Sequence, residues 1–259
     1  MTSSNTVLIE APDEDGVALV TLNRPEALNA ADEELHGAVA GVWADVARLP
    51  GVHAVVLTGA GTAFSAGGDL PLLQRMVDDE ALRKRIMDEA AALVRALVAF
   101  PHPIVSAVNG PAVGLGCSLA SFSDLVVMEE QAYFADPHVS LGLVAGDGGA
   151  LTWPLNMGLQ RVKEWLLLGG RMSAQQALEY GLANRVVPAG ESVSEARALA
   201  KRLAKLPPQA LRETRRVLNQ PLVARVDAAL DDVLAAETAS FDEPAFQRTL
   251  EKMRSRNRG

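Results

Sequence analysis

Two segments of this chain run from an apolar stretch into a glycine-bearing turn, and they restrict its fold more than any other feature. The first apolar run, His53-Ala54-Val55-Val56-Leu57-Thr58-Gly59, leads to Phe64-Ser65-Ala66-Gly67-Gly68-Asp69-Leu70. The second, Ile104-Val105-Ser106-Ala107-Val108, leads to Asn109-Gly110-Pro111-Ala112-Val113-Gly114-Leu115-Gly116-Cys117. Both read as strand, turn and helix start. Glycine lets the backbone turn sharply and lets a ligand approach main-chain atoms. A helix start leaves N–H groups without intrahelical partners. Two such turns set side by side can aim two N–H donors at one carbonyl oxygen. That arrangement is an oxyanion hole, and in acyl chemistry it usually supplies much of the transition-state stabilisation.

The same punctuation continues along the chain. Val17 to Asn23 reads as a strand ended by Arg24-Pro25. Asp32 can cap a helix running to about Leu49, with Leu35, Val39, Val42 and Val46 at helical spacing. A second helix is expected over residues 79–99, a short one over 115–122, and strands over 124–128, 133–135 and 185–187. Asp136 to Gly149 reads as a loop. Ser173-Ala174-Gln175-Gln176 has the form of a capping box, and Gly181 suits a helix C-terminus. From about Ser192 the pattern is helical throughout. The division expected is therefore 1–190, alternating strands and helices, and 191–259, all helix. Recurring right-handed strand–turn–helix units can stack as a spiral or lie in an ordinary doubly wound sheet, and the pattern alone does not choose.

Composition narrows the function. The chain has 259 residues, 49% hydrophobic, which is enough for one large core. The net charge of −8 argues against non-specific nucleic-acid binding. The charge is uneven, with 13 Lys/Arg against 9 Asp/Glu from Glu195 onward; most of these basic residues are expected on solvated helix faces and a few against ligand phosphates. No apolar stretch approaches the ~18 residues of a membrane span, and Met1-Thr2-Ser3-Ser4-Asn5 has no basic segment before an apolar one, so no secretory signal is expected. Cys117 is the only cysteine. It reads as a small buried residue, excludes an internal disulfide and fits a cytoplasmic setting. No His/Cys cluster suggests a metal, and no phosphate loop or Gly-x-Gly-x-x-Gly supports nucleotide or NAD chemistry.

Taken in order, several segments resemble the crotonase family of enoyl-CoA hydratases and isomerases. They are Leu22-Asn23-Arg24-Pro25-Glu26-Ala27-Leu28-Asn29-Ala30, Ala63-Phe64-Ser65-Ala66-Gly67-Gly68-Asp69-Leu70, Pro103 to Gly110, Leu166-Leu167-Leu168-Gly169-Gly170 and Ala177 to Val187. The resemblance implies an α/β fold with a ββα spiral core and a helical C-terminal region that builds trimers, often paired into hexamers. It implies acyl-CoA thioesters as substrates, with coenzyme A entering as part of the substrate and no other cofactor. Carried over, the hole donors are the backbone N–H groups of Gly68 and Leu115, the latter a departure from the three glycines common there. Asn29, Ala30, Ala66, Asp69, Leu70, Gly114 and Ser118 would line the substrate groove, while Phe241 and Lys252 would reach adenine or phosphate.

The two glutamates of typical hydratases in this family would fall at Ser118 and His138, so that mechanism does not carry over. In its place stand His138 and Asp147, nine apart. A carboxylate beside an imidazole holds its tautomer and stabilises its protonated form. The pair resembles a branch of the family that cleaves cyclic β-diketones with water. The alternatives are a loop histidine for His138 and a helix cap for Asp147. Asp69 is expected to fix its loop by local hydrogen bonds. Glu129 and Glu130 are expected to be exposed, and His36, His53 and His102 have no partner at telling spacing. Three functions follow: an acyl-CoA hydratase or isomerase (a lyase or isomerase), a hydrolase of carbon–carbon bonds, or a non-catalytic acyl-CoA-binding relative.

Overall fold

The computed structural model describes residues 5–146 and 148–256. The chain begins with strands β1 (Val7–Glu10) and β2 (Val17–Leu22), followed by helix α1 (Glu33–Ala47), β3 (Ala54–Gly59), α2 (Leu70–Asp78) and α3 (Glu80–Ala99). Next come β4 (Ile104–Val108), β5 (Ala112–Val113), α4 (Leu115–Ser121), β6 (Leu125–Glu129), β7 (Tyr133–Ala135) and α5 (His138–Leu141). Helices α6 (Gly149–Asn156) and α7 (Leu159–Leu168), strand β8 (Met172–Ser173), α8 (Ala174–Tyr180) and β9 (Arg185–Val187) lead to α9 (Ser192–Ala204), α10 (Pro208–Leu218), α11 (Gln220–Ser240) and α12 (Pro244–Arg256).

The large sheet has the order β1-β2-β3-β4-β6-β9. Its pairings are parallel except that of β1 with β2. All six residues of β3 are buried, because a parallel sheet is covered on both faces. Alternation along the strands divides the core. Val17, Leu19, Ala54, Val56, Val105 and Ala107 meet α9 through Ala196, Leu199 and Ala200. Ala18, Val20, Leu22, Val55 and Leu57 join the larger core with α1 and α3.

A second ladder decides between the two topologies left open. Short strands β5, β7 and β8 form a small sheet, and single parallel bridges, Ala31 to Gly68 and Ser65 to Ala112, extend the same kind of pairing to earlier turns. Each pass through the large sheet thus ends in a short segment stacked on the one before: β4 then β5 then α4, and β6 then β7 then α5. This is the ββα spiral, and it sets the two glycine turns side by side.

The caps read from the sequence are present. Asp32 accepts from the Leu35 N–H at 2.8 Å, Ser173 and Gln176 form the capping box, and Gly181 closes α8 in the left-handed conformation. Other elements differ from expectation. The residues before 79 form a separate helix, α2, because Asp79 is extended and its carboxylate caps α3 at Leu82 N. Within the expected loop 136–149, residues His138–Leu141 form the single turn α5. Glu129 is 5% exposed rather than on the surface. Burial pushes its carboxyl up, but hydrogen bonds from the Gly190 and Ser192 backbone, the Ser192 hydroxyl and Gln131 outweigh that and hold it below the usual carboxylate range. Glu129 therefore pins the start of α9 to the end of β6.

Candidate active site

The first turn is fixed by Ser65, whose hydroxyl donates to Asn29 O at 2.8 Å, and by Ala66 N to Leu28 O. Ala31 N donates to Gly67 O, and Asp69 N to Ala31 O. These two bonds flank Gly68, so its own N–H faces the other way. Gly67 has φ +87°, and a Cβ there would lie 2.9 Å from Val113 O; the turns touch closely enough to require glycine.

The second turn has Gly114 at φ 50°, ψ −115°, just ahead of α4. Val113 N donates to Ser65 O and Gly114 N to Ala135 O, leaving Leu115 as the first helical residue. A Cβ on Gly116 would lie 2.7 Å from Ser65 O. Among the described residues neither the Gly68 nor the Leu115 N–H finds a protein acceptor, and both residues line one cavity of about 620 Å³.

His138 forms part of the same cavity wall. It opens α5, and a Cβ on Gly114 would lie 3.6 Å from its Cε1. Asp136 Oδ1 accepts from the His138 backbone N–H at 3.2 Å and lies 2.5 Å from Nδ1. The Asp136 carboxylate engages Nδ1 and orients the ring. Glu237, on α11, lines the cavity with an Oε1 3.9 Å from His138 Nε2. Asp147, expected as the partner of His138, lies outside the described residues.

The remaining expected site residues divide. Ala30, Ala66, Asp69, Leu70, Gly114 and Phe241 line the cavity. Asn29 does not: it is fully buried at φ 55°, donates to Ala60 O and Ala63 O, and accepts from Arg24 N. Its amide holds a strained turn whose neighbours Leu28 and Ala30 face the ligand space. Ser118 is buried behind the second turn, its hydroxyl donating to Gly114 O at 3.3 Å. Lys252 is exposed on α12, and its neighbour Met253 lines the cavity in its place. Asp69 makes no cap bond to α2; it meets Arg24 Nη1 at 3.3 Å, so its anchor comes from the segment after β2 rather than from its own loop. Phe241 is 1% exposed, edge-on to Phe246 with the Arg83 guanidinium 5.8 Å from its ring.

Sequence reasoning missed Asp136, Glu237 and His36. Asp136 stands two residues before His138 and was accessible to local reading. Glu237 and His36 carried no local signal; only helix packing brings them to the cavity.

A ββα spiral whose adjacent glycine turns line one cavity together with an imidazole is an arrangement suited to a class of acyl-transforming proteins. The enoyl-CoA hydratase/isomerase family model matches residues 13–256, and the chain belongs to that family, the crotonases. It is similar to an enoyl-CoA hydratase/isomerase from Mycobacterium paratuberculosis, with 45% identity, a TM-score of 0.93 and coverage of 97% of this chain and 100% of that one. The 1,2-epoxyphenylacetyl-CoA isomerase of Escherichia coli is 36% identical over 89% of this chain and 90% of its own. A β-diketone hydrolase from the cyanobacterium Anabaena, solved with (S)-3-oxocyclohexyl acetic acid bound, shares 30% identity and a TM-score of 0.84, covering 92% and 94% of the two chains. Among the described residues no helix is long and apolar enough to cross a membrane.

Proposed function

We propose that this protein is an acyl-CoA-processing enzyme that works through an enolate. The thioester oxygen accepts hydrogen bonds from the Gly68 and Leu115 amides, and negative charge grows on it as the α-carbon loses a proton in double-bond migration or as water adds to the β-carbon in hydration. The observation that carries this reading is the pair of amides without protein acceptors on one cavity wall beside His138. His138 Nε2 takes that proton, from the α-carbon or from the attacking water, and returns it to carbon. Asp136 fixes the ring through Nδ1, Asp147 is a second expected carboxylate partner, and Glu237 is placed to interact with the charged ring or with a water. One base that both removes and returns a proton suits double-bond migration and water addition. Ala30, Ala66 and Leu70 would flank the CoA arm, with Lys252 at the rim for a phosphate. The trimer implied by the family is supported by an exposed leucine in the C-terminal helical region, Leu218 at 71% on α10, and by others on α6 and α7, among them Leu168 at 77%.

A second reading is hydrolytic cleavage of a carbon–carbon bond, in which His138 activates water to attack a carbonyl carbon and the cleaved enolate is held by the amides. The histidine–carboxylate pair and the Anabaena relative favour it. Purified protein assayed with enoyl-CoA esters, cyclic β-diketones and the CoA esters of such diketones separates the two. His138→Ala and Asp136→Asn should each lower turnover about a hundredfold or more. Thioester binding without turnover of any substrate would identify a non-catalytic acyl-CoA-binding relative and overturn both readings.

A further inference from the structure

The cavity has a second polar feature that this chemistry does not use. His36, on α1, is 7% exposed and its ring lines the cavity. The wall around it is apolar and comes from α2 and α3, including Leu72, Met76, Ile86, Met87 and Ala90. His36 Nδ1 lies 2.8 Å from Glu89 Oε2, and Arg85 Nε lies 3.9 Å from the other Glu89 oxygen. The other titratable side chains of the cavity, Asp69, His138 and Glu237, belong to the glycine turn, α5 and α11.

A carboxylate on Nδ1 makes that nitrogen the donor, so a neutral ring presents the Nε2 lone pair. Among the described residues no donor meets Nε2. Joining α1 to α3 uses only Nδ1, and an apolar side chain would join them without burying a polar ring. A polar atom held in a fixed tautomer within an otherwise apolar wall is what selects a ligand with one matching polar group.

We infer that His36 is a specificity-determining residue: it accepts a hydrogen bond from a hydroxyl carried on the acyl group, so that the cavity selects hydroxylated acyl thioesters over plain alkyl thioesters of equal length. Glu89 is the positioning residue that fixes the ring. The inference rests on the acyl-thioester reading above.

The test is a length series of enoyl-CoA esters in plain and terminally hydroxylated form, with an oxo form as a third arm. Both kcat/KM and the Kd of the matching saturated esters are measured. The wild-type protein should favour the hydroxylated member of at least one length by roughly five- to tenfold, the size of one net hydrogen bond. His36→Leu should abolish that ratio, and Glu89→Gln should weaken it. If His36→Leu fails to fold by circular dichroism, His36→Gln supplies the reading, with a reduced ratio expected. Equal use of both forms by the wild type, an unchanged ratio in the variants, or a preference for the oxo form overturns the inference while leaving the enolate reading intact. Absence of both binding and turnover with every thioester overturns the two together.

Discussion

The Leu115 amide can be deleted with little disturbance to the backbone. Leu115 is the first residue of α4, the helical position at which proline is best tolerated because that N–H has no intrahelical partner. Proline also restricts the residue before it to extended backbone. Gly114 sits at φ 50°, ψ −115°, close to the mirror image of that extended region, and lacking a Cβ it occupies the mirror region without strain. Leu115→Pro therefore removes one donor and part of a half-buried side chain. Leu115→Ala removes a comparable part of the side chain and keeps the donor. If the amide stabilises a developing oxyanion, the proline variant should fall below the alanine variant in kcat by about a hundred- to a thousandfold, or ~3–4 kcal/mol. The ratio of the two is the measurement, with circular dichroism and thermal melting confirming equal folding. Equal kcat values in two folded variants would refute the role given to this nitrogen.

Three further outcomes follow from the structure. Gly67→Ala places a Cβ 2.9 Å from Val113 O at φ +87°; it should cost about 1–3 kcal/mol of stability and lower kcat as the neighbouring Gly68 amide shifts away from the developing oxyanion, checked by denaturant titration and steady-state kinetics. Glu129→Gln removes a carboxylate bonded to the Ser192 hydroxyl at 2.7 Å and to Gln131 at 2.6 Å and should destabilise by roughly 1–3 kcal/mol. Because the folded Glu129 carboxyl lies below its usual range, the loss should be full above that range and shrink as pH falls through the folded value, which denaturation at several acid pH values would check. His102 is held below the usual histidine value of 6.5 by burial first, then by His53, Arg215 and Arg212. Its folded form prefers to stay neutral, so its contribution is complete above that value and declines as pH drops through the depressed one; His102→Gln should flatten the pH dependence of the urea midpoint in that window.

The amino-acid sequence by itself determined what short-range chemistry controls. The central strands β2, β3, β4 and β6 announce themselves as apolar runs because both faces are covered, whereas the edge strand β1, with Leu8 and Glu10 exposed, does not. Asp32, Ser173 with Gln176, and Gly181 mark helix ends because each acts on backbone groups within a few residues. Gly67 and Gly114 mark the turns because positive φ, and at Gly67 close packing as well, admits little else. His138 was legible only through the resemblance of its segment to the family, which puts a catalytic group there. Other features depended on the stacking of the spiral. Strand pairing across β5, β7 and β8 brings the two turns into contact, and α11 delivers Glu237 to His138. The burial of Glu129 under α9 and the facing of His36 with Glu89 across α1 and α3 arise in the same way. These pairings leave no local trace, since a buried polar side chain has the same neighbours in sequence as an exposed one. Only the packing of distant elements removes its water and supplies the partner that replaces it.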